Sequence, residues 1–172
     1  MSSSLGFPGL AVAARAAATA AHAKPLVTLK EALASALGGC AVRTETLYLT
    51  PEQSRQVMER GGTKLASDVV IRHVADCEKK NPASGRVAYT DTHRVRTHPE
   101  TLLIVVDSAS RVAGIEVLSF DEPMDYLPRG EWYAKFTGHG LGPELAIKKA
   151  IPPVTGASLT TRSTTEASRR VL

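Results

Sequence analysis

Near its carboxyl end the chain reads Thr155-Gly156-Ala157-Ser158-Leu159-Thr160-Thr161, small and hydroxyl-bearing residues between a Pro152-Pro153 turn and a final helical segment. Small side chains let backbone N–H groups approach a ligand closely, and the start of a helix favours an anion. The same residues also read as an ordinary helix cap, because Ser and Thr gather ahead of helices. Upstream, aromatic residues make up only 5% of the chain, yet Phe120, Tyr126, Trp132, Tyr133 and Phe136 crowd one short region. They read either as a satellite apolar cluster under a loop or as a flat-walled pocket for a planar ring. Glu122, Pro123, Met124 and Asp125 share that loop and add polar groups and stiff backbone.

Other chemistries are thinly represented. His22, His73, His93, His98 and His139 are scattered, without the spacing of a metal site, and read as structural or surface residues. His93 and His98 are expected in one strand, on opposite faces. No nucleophile elbow, Walker loop or dinucleotide fingerprint is present. Cys40 and Cys77 are too few for a disulfide framework or a four-cysteine zinc site. Two small buried thiols are the favoured reading, and one bridge between them is the other. The net charge of +4 comes from 21 basic and 17 acidic residues, with no Lys/Arg run longer than two. Such a balance gives no basic patch, so no nucleic-acid partner is expected.

The elements that must position these residues follow from periodicity. Leu26, Leu29, Leu33 and Leu37 fall at helical spacing before Gly38-Gly39. A strand is expected over 41–49. Thr50-Pro51-Glu52-Gln53 then supplies an N-cap, a proline suited to the first helical position and a capping-box partner, for a helix ending at Gly61-Gly62. Segments 68–75, 86–94, 101–107 and 112–120 are rich in strand formers, the last two forming a hairpin across residues 107–111. Short helices are expected over 131–136 and 143–149. A final helix is expected over 161–172, with Ser163 and Glu166 as a second capping box. The order predicts an α+β fold, a mainly antiparallel twisted sheet with flanking helices.

Residues 1–24 form a separate disordered or signal-like segment, rich in Ala and Ser, with Ala21-His22-Ala23 matching a signal-peptidase pattern. Residues 25–172 form the domain. No stretch has the ~18–20 apolar residues that cross a bilayer.

The motif from Thr155 to Thr160 resembles the signature of the FMN-binding domain family, found in the C subunit of sodium-translocating NADH:quinone reductase and the G subunit of the Rnf complex. The hairpin turn from Asp107 to Arg111, then 114–118, then Phe120-Asp121-Glu122-Pro123, then Phe136-Thr137-Gly138, is similar in order and spacing. The resemblance covers 100–172 well and 25–100 loosely. Pro152 or Pro153 stands where the family has an acid, and Phe120 where it has a histidine.

The resemblance implies an FMN-binding fold and an electron carrier rather than a stand-alone catalyst. It implies FMN esterified through its phosphate to Thr160 by a flavin transferase. Thr155, Gly156, Ala157 and Ser158 would lie around the phosphate, and Glu122, Pro123 and Tyr126 toward the ring. It also implies a membrane redox complex or other electron-transfer proteins as partners, and an extracytoplasmic location. The alternatives are a flavin-free partner-binding or structural module of the same fold, and a small flavin-dependent reductase.

Overall fold

A computed structural model describes residues 26–172; the signal-like segment 1–24 lies outside the described residues. The elements are α1 (Leu29–Ala36), β1 (Ala41–Tyr48), α2 (Pro51–Gly61), β2 (Val69–Asp76), β3 (Val87–Val95), β4 (His98–Val106), β5 (Val112–Phe120), α3 (Gly130–Tyr133) and α4 (Ser158–Val171). The strands form one five-stranded antiparallel sheet in the order β1-β2-β3-β4-β5, each paired to its sequence neighbour. The fold is therefore α+β, an open antiparallel sheet with flanking helices.

Helix α2 forms as its local signals dictate. The Thr50 hydroxyl accepts from the Gln53 N–H, the Gln53 side chain accepts from the Thr50 N–H, and Pro51 opens the helix. Gly62 ends it at φ 63°, a conformation glycine takes without strain. Helix α1 carries the same device through Thr28 and Glu31.

The fourth strand explains the layering. Leu102, Leu103, Ile104 and Val105 are all buried, so β4 is covered on both faces and reads as a continuous apolar run. On one face α1 closes a core of Ala32, Leu37, Ala88, Leu103, Val105 and Leu118. On the other, α4 lays Ala167 over Leu102 and Ile104. Each fully buried Leu or Ile side chain among these contributes roughly 1.5–3 kcal/mol relative to exposure.

Four expectations are corrected. Cys40 and Cys77 are not free thiols but a disulfide, with Cα atoms 4.9 Å apart, tying the start of β1 to the end of β2. His93 and His98 do not share a strand: Val95 pairs with His98, and the chain turns through Arg96 and Thr97. Helix α4 starts at Ser158 rather than 161, so Ser163 and Glu166 lie within it and form no cap. Residues 143–149 form turns instead of a helix. Lys148 takes a positive φ of 67°, and Arg169 occupies the carbonyls of Gly142 and Leu145.

Candidate functional site

The first turn of α4 is built differently from those of α1 and α2. Thr155 and Gly156 form an exposed turn, with Gly156 at φ 85°, a position that suits a residue without Cβ. Ala157 occupies the N-cap and has no side-chain acceptor to offer. The first helical donor with a partner is Thr161 N–H, bonded to Ala157 O at 2.9 Å. The N–H groups of Ser158, Leu159 and Thr160 precede it, at the positive end of the helix.

The buried hydroxyls of this helix are spent inward. Thr161 donates to Ser158 O at 3.1 Å, Thr165 to Thr161 O at 2.7 Å and Ser168 to Thr164 O at 2.9 Å. These back-bonds satisfy buried hydroxyls, so a Thr/Ser-rich segment can sit inside a helix. Thr160 is only 1% exposed, and its Oγ1 donates to the Tyr126 carbonyl at 2.7 Å. Thr155 and Ser158 are exposed, while Ala157 is buried beneath them.

Two cavities flank Ala157. The smaller, about 130 Å³, is lined by Val95, Arg96, Tyr126, Gly156, Ser158 and Thr160. The Arg96 guanidinium carbon lies 5.5 Å from the centre of the Tyr126 ring, within cation–π range. It adds a positive charge beside the free N–H groups. The larger, about 420 Å³, is an open cleft walled by Leu127, Pro128, Trp132, Lys135 and Val154. The smaller cavity has the size and charge for a phosphate group, and the larger has room for a ring system.

Glu122 does not face either cavity. Its carboxylate accepts from Thr97 N–H and His98 N–H at 2.9 Å, and from the Thr97 hydroxyl at 3.1 Å. The Thr97 N–H bond, aided by the other donors and opposed by burial, lowers its pKa to about 2. Glu122 thereby holds the turn on which Arg96 adopts a positive φ of 51°. Pro123 is exposed at the start of a short 3-10 turn that ends at Tyr126. Thus Thr160, Gly156, Ala157, Ser158 and Tyr126 come together, Thr155 borders them, and Glu122 and Pro123 act through the loop.

Most of the aromatic crowd is core. Trp132 meets Tyr133 and Phe136 edge to face, with centroids 5.1 and 5.0 Å apart, over Val112, Leu145 and Ile151. Phe120 is buried at the end of β5. The Trp132 indole N–H donates to Pro152 O at 2.8 Å, which anchors the segment leading to Thr155. Only Tyr126 and Trp132 of the five reach the two cavities.

Sequence reasoning missed a buried charged network under α4. Arg170 donates to both oxygens of Asp91 at 2.6 Å, and His93 lies 2.7 Å from Asp91 and 2.9 Å from Glu100. Burial disfavours the imidazolium, yet hydrogen bonds and charge from the two carboxylates prevail and raise the His93 pKa. Burial likewise opposes ionisation of Asp91, but His93 and Arg170 outweigh it and lower its pKa. The signal was faint: alternate placement of Asp91 and His93 on β3, and one acid opening an apolar β4. No described helix is long and apolar enough to cross a membrane. Comparison of the chain with protein-family models, with curated proteins and with solved structures finds no match in any of the three.

Proposed function

We propose that this chain is an FMN-binding electron-transfer flavoprotein, with the FMN phosphate held at the start of α4 and esterified to Thr160. The observation that carries the reading is the uncapped first turn of α4, where free N–H groups, Arg96 and Thr160 converge on one small cavity. An anion there is favoured by the helix dipole, the orphan donors and the guanidinium together. Thr155 and Ser158 add exposed hydroxyl donors. The open cleft beside Trp132, Leu127 and Lys135 supports placement of the ring on the far side of Ala157. FMN supplies the one- and two-electron chemistry, and the chain binds it, orients it and sets its surroundings.

Attachment by a flavin transferase forms a bond between Thr160 Oγ1 and phosphorus, breaks the pyrophosphate of FAD and releases AMP and the hydroxyl proton. The Thr160 hydroxyl must first leave the Tyr126 carbonyl. The Cys40–Cys77 bridge suits an oxidising compartment and supports an extracytoplasmic location, alongside a membrane redox complex or other electron-transfer proteins. The similarity of the motif to the FMN-binding domain family is consistent with the α+β class, and an FMN-binding fold is part of the proposal.

The near-complete burial of Thr160 favours a second reading, a flavin-free module of the same fold. Intact-mass analysis after coexpression with a flavin transferase separates the two. An FMN adduct lost in Thr160→Ala supports attachment at this residue, and an adduct retained in that variant refutes it. A colourless, unmodified wild-type protein establishes the flavin-free reading.

A further inference from the structure

At the opposite end of α4 lies a half-open cavity of about 410 Å³, bordered by α2, residues 65–71, strands β1 to β3 and the last turn of α4. Its walls are apolar: Leu47, Leu49, Val57, Leu65, Val70 and Val171. Asp91 and Arg170 stand at its floor, and Arg170 is shared with a neighbouring cavity of about 250 Å³ that Arg60 and Arg169 also line.

Arg170 is the informative residue. Its side chain is only 7% exposed, so this guanidinium has been taken almost wholly out of water. Its Nε and Nη2 donate to Asp91, while Nη1 has no protein acceptor among the described residues and keeps contact with solvent. Arg169 differs: its Nε and Nη1 are bonded to Gly61, Gly142 and Leu145 carbonyls, which fix α4 against α2 and the 142–145 turns. A mostly buried guanidinium with a donor to spare, shared by an apolar cavity and a neighbouring cavity lined by Arg60 and Arg169, matches an acceptor head group on an apolar body.

We propose that this cavity binds a small aliphatic monocarboxylate, its chain among Leu47, Val57, Leu65 and Val70 and its carboxylate at Arg170 Nη1. Arg60 and Arg169, lining the neighbouring cavity, add longer-range attraction for the anion. Asp91 remains paired on the other edge of the guanidinium, and the added negative charge is offset by Arg60 and Arg169 in the neighbouring cavity. This site is separate from the flavin reading and stands or falls without it.

The test is calorimetric titration of the flavin-free full chain with decanoate, decanol and butyrate below their aggregation concentrations. Saturable one-to-one binding of decanoate, about tenfold tighter than decanol, is expected from one charge-assisted hydrogen bond. Butyrate, lacking the chain, binds more weakly still. Arg170→Lys keeps a charge opposite Asp91 but loses the planar fork, and is expected to bring decanoate down to the affinity of decanol. Val57→Trp fills the cavity without touching a charged group and abolishes binding of both ten-carbon probes, with near-ultraviolet circular dichroism reporting the intact fold. Equal affinity for decanol and decanoate, no saturable binding, or full affinity in a folded Val57→Trp protein overturns the proposal.

Discussion

The two faces of the sheet are held by different physics. Beneath α1 the contacts are apolar, from Ala32 and Leu37 to Leu103 and Leu118, and the Cys40–Cys77 bridge closes the edge. Beneath α4 the same strands present Asp91, His93 and Glu100 to Thr164 and Arg170, beside an apolar patch of Leu102, Ile104 and Ala167 that Ile115 and Val117 join to the Trp132 cluster. Both candidate ligand sites lie along α4 and none of their lining comes from α1. A face built from dispersion and burial has little to offer a ligand once it is closed. One built from paired charges and back-bonded hydroxyls keeps donors and gaps that a ligand can use.

Breaking the polar face should cost most. Arg170→Met leaves Asp91 and Glu100 buried with only His93 between them, and a loss of about 3–5 kcal/mol is expected in urea unfolding. A loss under about 1 kcal/mol would mean that the network contributes nothing specific. On the apolar face, replacing Cys40 and Cys77 by serine opens a link between residues 37 apart in sequence. Chain entropy sets that loss at about 3–4 kcal/mol, measured by the same unfolding midpoints.

The smallest effect sharpens the contrast through pH. The folded-state pKa of His93 lies above its ordinary 6.5. Its stabilisation is therefore fully present below that value and fades as pH rises through the folded one. Urea midpoints should fall as pH rises above 6.5 and through the raised folded-state pKa, and His93→Gln should flatten that fall. An unchanged slope in the variant would assign the pH response to other groups.

Legibility in the sequence followed the range of the interactions. Helix α2 was readable from Thr50 to Gly62 because every capping partner lies within a turn of its neighbour. The strands were readable because their apolar runs are local. The start of α4 was not, since its threonines bond to carbonyls three or four residues back instead of capping its end. The turn between Val95 and His98 has no glycine to announce it; a carboxylate from residue 122 supplies what the turn lacks. The charged network was hidden for a similar reason, as Arg170 and Asp91 are 79 residues apart. Of the candidate site, Tyr126 and the 156–160 segment were anticipated, whereas Arg96 was not.

Glu122 and Tyr126 belong to one short stretch of chain, and they grip different things. The first clasps the β3–β4 turn that carries Arg96; the second takes the Thr160 hydroxyl through its carbonyl. Swinging that stretch outward would uncover the hydroxyl and unlatch the guanidinium in a single movement. The buried Thr160 hydroxyl and the turn carrying Arg96 are thus both fastened to the same five residues of chain, 122 to 126.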